Sequence, residues 1–167
     1  MKSNVVLIGM PGVGKSTVGV ILAKLLGYKF IDTDLVIQQK ENKLLKEIID
    51  DDGIDNFLKV ENNIVSNMVC ENSVIATGGS VVYGKEAMEL LCKIGTVIYL
   101  SLDYRKLKYR LGNIKNRGVV IRKGQHLYDL YAERCPLYEK YADITIDETG
   151  KNIEKTVEKI IESLNNQ

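Results

Sequence analysis

The sequence predicts an α/β fold in which five parallel strands form a doubly wound sheet with helices on both faces. A glycine-rich stretch at 9–17 follows a short apolar run and precedes a helical pattern. Further short apolar runs alternate with amphipathic stretches along the chain, which is typical of a parallel sheet covered on both faces. A chain of 167 residues can bury one sizeable core, so we expect residues 1–167 to form a single domain.

The first half of the chain supplies two strands and four helical patterns. Val5–Ile8 is a continuous apolar run, and the pattern from Ser16 to Leu26 places its apolar residues on one helical face. The second strand is predicted at Lys29–Ile31. Gly53 is expected to end a helix that finishes in three aspartates. Helical patterns follow the second strand at Leu35–Lys40, Leu44–Asp50 and Asp55–Val69.

The second half continues the alternation. Asp103 is expected to cap a helix that ends near Leu111, and Pro136 to kink or restart the long helix that contains it. The predicted strands are Val74–Ala76, Thr96–Leu100 and Ile144–Ile146, and the predicted helices outside 103–111 are Lys85–Leu91, Gln125–Tyr141 and Asn152–Leu164.

A basic segment from Gly112 to Gly124 has no clean periodicity. It contains three glycines, several Lys and Arg side chains and no acidic residue. Long irregular loops in compact domains usually carry function or are disordered. In a protein that handles phosphates, such a loop is expected to act as a lid; the alternative is a solvated surface loop.

Composition limits the possible partners. The formal net charge is +1, so there is no basic excess to attract nucleic acid or an anionic membrane. The three cysteines are odd in number and form no C-x-x-C pair, which favours reduced thiols. The first apolar run is too short for a signal peptide or a membrane span. We therefore expect a cytoplasmic monomer that acts on a small molecule.

The glycine-rich stretch fits the phosphate-binding pattern G-x-x-x-x-G-K-[ST]. Glycines let backbone N–H groups wrap an anion, and the following helix N-terminus adds its positive dipole. Lys15 would supply a charge to the outer phosphates, and the Ser16 hydroxyl would coordinate Mg²⁺. The alternative is a turn that merely joins a strand to a helix. The nucleotide-binding candidates are Gly12, Val13, Gly14, Lys15, Ser16 and Thr17.

Asp32 and Asp34 stand two apart after the second strand, so both can face one side. One carboxylate could support Mg²⁺ and the other could accept a proton from a substrate hydroxyl. The alternative is that Asp34 only caps the helix predicted from Leu35.

Other candidates meet at the same sheet edge. Thr77–Ser80 ends the third strand, and its two glycines allow a ligand close to the backbone, although a plain tight turn would look the same. Ligands of such sheets bind beyond the carboxyl ends of the strands.

His126, the only histidine, is expected at a surface helix end. The candidate anion contacts are Arg110, Arg117, Arg122 and Arg134.

Over nearly its whole length the chain resembles the shikimate kinases. The resemblance is carried by GMPGVGKST at 9–17, DTD at 32–34, DGIDNFLKVE at 52–61, VIATGG at 74–79, Arg117 and ERCPLYEKYAD at 133–143. It implies a P-loop kinase fold with a basic lid, and transfer of the ATP γ-phosphate to the 3-hydroxyl of shikimate in aromatic amino-acid biosynthesis.

The resemblance also implies roles. Lys15 would contact the phosphates, and Ser16 and Asp32 would hold Mg²⁺. Asp34 would bind the substrate hydroxyls and act as the base. Gly78 and Gly79 would contact the substrate, and Arg134 would pair with its carboxylate. Arg117 would close over ATP from the lid, with Arg110 and Lys151 on the nucleotide side.

Three positions depart from the family pattern. Leu58 replaces an arginine of F-R-x-x-E that helps to bind the shikimate carboxylate, and Lys59 points about 100° away around the helix. Loss of that contact should weaken binding by about one to two decades. Ser80 replaces a third glycine, and Gly118 replaces a proline and should loosen the lid.

Two other functions stay open at this stage. The acceptor could be another small hydroxylated compound, such as a sugar acid or nucleotide, which Leu58 favours. Alternatively, the chain could be a nucleotide-binding regulatory module without transferase activity, although Lys15, Ser16, Asp32 and Asp34 are all present.

Overall fold

The computed structural model describes residues 2–112 and 119–166. Within these ranges the strands and helices follow the predicted order. The strands are β1 (Asn4–Ile8), β2 (Lys29–Asp32), β3 (Ser73–Ala76), β4 (Gly95–Ser101) and β5 (Ile144–Asp147). The α-helices are α1 (Lys15–Leu26), α2 (Thr33–Glu41), α3 (Leu45–Asp52), α4 (Ile54–Ser66), α5 (Lys85–Ile94), α6 (Tyr104–Leu111), α7 (Leu127–Tyr141) and α8 (Ile153–Asn165).

The five strands form one parallel sheet in the order β2-β3-β1-β4-β5. Every residue of the central strands β1 and β3 is buried, so helices cover both faces of the sheet. The chain winds outward from β1 in both directions, which confirms the doubly wound α/β fold. This order brings the carboxyl ends of β1, β2 and β3 together at one edge.

Two hydrophobic clusters fill the interior. The larger one packs the sheet against its helices. The smaller one joins α2, α3 and α4 and contains Ile37, Ile48 and Phe57. Val120, from the predicted lid, is also buried in this smaller cluster. The segment is therefore packed onto these helices at Val120, while residues 122–124 are exposed.

Several element boundaries differ from the prediction. Helix α2 begins at Thr33 because the Asp32 side chain accepts the Asp34 N–H at 3.0 Å and caps it. Helix α4 ends at Ser66, and Val69 beyond it is 99% exposed, with nothing to pack against. A short 3₁₀ turn, Val81–Tyr83, was not predicted.

Pro136 neither ends nor restarts α7, so the predicted restart is wrong. The proline is on the exposed side of the helix, where water can satisfy the carbonyl it leaves unpaired. The predicted caps at Gly53 and Asp103 are confirmed, the latter by an Arg105 N–H donating to Asp103 at 2.9 Å. Within the described ranges, no helix has the length and apolar character needed to cross a bilayer.

Candidate active site

The phosphate-binding loop joins β1 to α1. Gly12 and Gly14 adopt φ values of +83° and +104°, which disfavour residues with a Cβ. A Cβ on Gly12 would also lie 2.8 Å from the Leu111 side chain. The loop thus turns its backbone toward the N-terminus of α1, as binding of an anion requires. Gly14, Ser16 and Thr17 line a cavity of about 380 Å³ at this point.

Lys15 is the cation of this loop, and it is buried within it. Its Nζ donates to the carbonyls of Gly9 and Met10 at 2.7 and 2.9 Å. Burial lowers the pKa of Lys15 to about 8, and the carboxylate of Asp34 partly opposes that change. The amine is therefore held inside the loop by two backbone carbonyls.

Ser16 and Asp32 meet at the mouth of the loop, where the Ser16 hydroxyl donates to Asp32 Oδ2 at 2.8 Å. Both supply hard oxygen donors, which suit Mg²⁺. Among the described residues there is no cluster of three or more His, Cys, Asp or Glu side chains that could hold a metal. A pair of donors is nonetheless enough for Mg²⁺, because this ion keeps several waters and takes further oxygens from phosphates.

Asp34 lies in the first turn of α2 and lines the cavity of the phosphate loop. The pKa of Asp34 is raised to about 6, chiefly by burial and also by the nearby Asp32 carboxylate, while the charge of Lys15 partly opposes the rise. Because Asp32 caps the helix, the expectation that Asp34 serves only as the cap is wrong. Among the described residues, its carboxyl group is not used to cap the helix.

Gly78 and Gly79 bring the end of β3 close to this carboxylate. The Gly78 N–H donates to the Thr33 hydroxyl at 3.1 Å, and a Cβ on Gly78 would lie 2.7 Å from Asp34 Oδ1. The Gly79 carbonyl accepts the Tyr138 hydroxyl at 2.5 Å. These contacts fix the backbone of the segment beside Asp34.

Arg134 projects from α7 into the same region and is only 1% exposed. Its Nη2 donates to the Val120 carbonyl at 2.8 Å, and its Nε donates to the Tyr83 hydroxyl at 3.2 Å. A buried guanidinium with neutral partners keeps its full charge available for an anion. Together with Asp34 and Gly79, it lines a small cavity of about 50 Å³, which we call the acceptor cavity.

Glu61 is a buried carboxyl group behind this cavity, and sequence reasoning gave it no role. Its Oε2 accepts the Ser80 hydroxyl at 2.6 Å, while Oε1 has no hydrogen-bond partner among the described residues. Burial raises the pKa of Glu61 to about 7. Ser80, which departs from the family pattern, is thus the partner of a buried acid.

A larger cavity of about 470 Å³ lies on the other side of the phosphate loop. Arg110 lines it, donates to the Val13 carbonyl at 3.0 Å, and lies 3.6 Å from Glu148 Oε2. Lys151 also lines this cavity, and its Nζ donates a hydrogen bond to the Asp147 carbonyl. The sequence predicted both basic residues, whereas no local pattern pointed to Glu148.

The remaining candidates fall outside this constellation. Arg117 and Gly118 lie outside the described residues. Lys59 is exposed, and it does not line the acceptor cavity. His126 is exposed just before α7, and its backbone N–H donates to Asp129 at 2.8 Å, as expected for a helix end.

Comparison with known proteins identifies the family. The family model described as shikimate kinase matches residues 11–165. The chain belongs to the shikimate kinase family. Curated shikimate kinases from Nitrosomonas europaea and Francisella tularensis are 36% and 37% identical to it. These matches cover 96% and 94% of this chain, and 78% and 92% of the respective relatives.

Solved structures agree with this assignment. Shikimate kinase from Acinetobacter baumannii, solved in complex with shikimate, matches with a TM-score of 0.85 and 30% identity, over 99% of this chain and 94% of that one. The Aquifex aeolicus shikimate kinase matches with a TM-score of 0.79 and 29% identity, over 98% of this chain and 96% of that one. The P-loop kinase fold is therefore confirmed, and the chain is an ATP-dependent kinase of the shikimate kinase family.

Proposed function

We propose that the protein transfers the γ-phosphate of ATP to the 3-hydroxyl of shikimate, with Mg²⁺ held by Ser16 and Asp32. One observation carries the proposal beyond family membership. The phosphate cavity and the acceptor cavity share a wall, and Asp34 lies on it. A carboxyl group with a pKa near 6 at that junction can accept a proton from the attacking hydroxyl at neutral pH.

The other residues position the two reactants. Lys15 and the N–H groups of the loop hold the phosphates, and bound Mg²⁺ would neutralise charge on the phosphate oxygens. Arg134 pairs with the acceptor's carboxylate, and the Gly79 backbone packs against its ring. Phosphoryl transfer needs little else, because alignment and charge stabilisation supply most of the rate enhancement.

Entry of the acceptor requires the loop to move. The acceptor cavity, at about 50 Å³, has room for only a few water molecules. Val119 and Val120 of the loop line it. We therefore assign residues 112–124 as a lid that opens for the acceptor and then excludes water, with Arg117, Arg110 and Lys151 on the nucleotide side.

The cellular setting belongs to the same proposal. Cys70, Cys92 and Cys135 are free thiols, which fits the reducing cytoplasm. We also propose that the enzyme acts as a monomer.

A coupled assay of ADP release at varied shikimate concentration tests the function. We expect saturable, shikimate-dependent turnover that is lost in Lys15→Ala and kept in Lys24→Ala, which removes an exposed lysine of the same helix. Absence of any shikimate response in a protein that binds ATP would refute the proposal.

One observation favours a second candidate, a related hydroxylated acceptor. Leu58 lines a cavity beside Arg134 where the family pattern has a cation. A panel of small hydroxylated acids and neutral polyols in the same assay separates the candidates. Faster turnover of a compound without a carboxylate would favour the second.

A further inference from the structure

A second small cavity adjoins the acceptor cavity and has two arginines in its wall. Its volume is about 100 Å³, and Leu58, Tyr83, Val120, Arg122 and Arg134 are among the residues that line it. Val120 and Arg134 also line the acceptor cavity, so the two cavities adjoin and share the Arg134 side chain as part of their wall. An anionic group held by Arg134 would therefore lie within reach of this second wall.

Helix α4 offers no cation on that wall. Leu58 is apolar and half-buried, and Lys59 is exposed and absent from the residues that line either cavity. The loop supplies the cation instead. Arg122 reaches across to α4, where its Nη2 donates to Asp55 Oδ1 at 2.7 Å. Asp55 lies one helical turn before Leu58, so the guanidinium sits next to the position where α4 lacks a charge.

We propose that Arg122 supplies, from the loop, the second positive charge that binds the carboxylate of the acceptor. This assignment rests on the proposed function. In that function Arg122 is a substrate-binding residue. It and Arg134 would bind the same carboxylate from two sides. Arginine suits this position because its planar fork can bind two carboxylate oxygens at once.

The local charges allow Arg122 to take this role. Its side chain and that of Asp55 are 58% and 77% exposed, and such exposed pairs are weak enough to exchange partners. Glu133 also lines the cavity, but its two oxygens already accept the Tyr83 hydroxyl and the Gln125 amide. Both carboxylate oxygens of Glu133 therefore already accept hydrogen bonds from neutral donors.

The backbone holds Arg122 in place. Val120, two residues earlier, is buried in the smaller hydrophobic cluster, and its carbonyl accepts Arg134 Nη2 at 2.8 Å. The Arg122 N–H donates to the Gln125 side chain at 3.2 Å. The segment is therefore anchored on both sides of the arginine, next to the cavity it lines.

The test compares Arg122→Ala with Lys123→Ala, its exposed basic neighbour. Charge-assisted hydrogen bonds predict a rise in KM for shikimate of about 10- to 100-fold in Arg122→Ala, with KM for ATP changed less than about twofold. Lys123→Ala should match the wild type. For shikimate methyl ester, which lacks the negative charge, the penalty of Arg122→Ala should disappear.

A second variant separates charge from folding. Leu58→Arg added to Arg122→Ala should restore most of the affinity for shikimate, because it returns a cation to the same wall from α4. Equal KM values for shikimate in Arg122→Ala and Lys123→Ala would overturn the assignment while leaving the proposed function intact. A penalty that persists with the methyl ester would also overturn it. A wild type that neither binds nor phosphorylates shikimate would overturn both.

Discussion

Substitution of Glu61 by glutamine should change how stability depends on pH. The Glu61 carboxyl is 2% exposed, and one of its oxygens has no hydrogen-bond partner among the described residues. Burial is the main cause that raises its pKa from 4.5 to about 7, while the Ser80 hydroxyl partly opposes the change. The folded protein therefore holds a proton on Glu61 over a range in which the unfolded chain has lost it.

The sign and size follow from proton linkage. Between pH 4.5 and 7 the folded state binds more protons at Glu61, so the free energy of unfolding falls as pH rises and levels off above 7. The pKa difference corresponds to about 3 kcal/mol. A glutamine side chain at this position cannot titrate. The free energy of unfolding of Glu61→Gln, relative to wild type, should thus increase by about 2–3 kcal/mol from pH 4.5 to 8.

Urea unfolding followed by far-UV circular dichroism measures this difference, since the chain has no tryptophan for fluorescence. Asp34 and Glu148 also have raised pKa values, but they are present in both proteins and largely cancel in the difference. Glu158→Gln, on an exposed face of α8, is the matched control for the same chemical change at a solvated position. A difference for Glu61→Gln that stays within about 0.5 kcal/mol across this range would refute the reasoning.

Three further predictions use the same site. Ser80→Ala removes the hydroxyl that donates to Glu61 and should lower the free energy of unfolding by about 1–3 kcal/mol in urea titrations at pH 7; an unchanged midpoint would contradict this. Gly79→Ala places a Cβ 3.0 Å from Arg134 Nη1 and should raise KM for the acceptor more than KM for ATP in steady-state kinetics. Equal changes in both would argue against it. Phosphate binding should raise the pKa of Lys15 from about 8, so calorimetry at pH 8.5 in two buffers of different ionisation enthalpy should detect proton uptake with ATP but none with Lys15→Ala.

The parts of the fold that the sequence predicted are those governed by local patterns. The central strands β1 and β3 were predicted because they are buried on both faces and are therefore continuous apolar runs, whereas the edge strands β2 and β5 are only partly buried. The predicted element boundaries were less accurate where one side chain could belong to a strand or cap the next helix. Asp32 is both the last residue of β2 and the N-cap of α2, so β2 extends one residue past the predicted Ile31 and the helix starts at Thr33 instead of Leu35.

The candidate site was predictable only where its chemistry follows a short motif. Lys15, Ser16 and Asp34 were assigned from their spacing, and the structure brings them to one cavity. The contacts that shape their surroundings join distant segments. Tyr83 meets Arg134 across about fifty positions of sequence, and Glu148 meets Arg110 from the end of β5. No local periodicity encodes such pairs.

The departures at positions 58 and 80 are physically related. Leu58 lies three residues before Glu61 on α4, so a cation there would stand beside the carboxylate. Among the described residues, the Ser80 hydroxyl is the hydrogen-bond donor to Glu61, and a pKa of about 7 leaves Glu61 partly protonated at neutral pH. Compared with the family pattern, α4 lacks the positive charge at position 58. Partial protonation of Glu61 also reduces the negative charge behind the acceptor cavity. Arg134, with Arg122 from the loop, therefore faces a weaker opposing charge when it binds an anion.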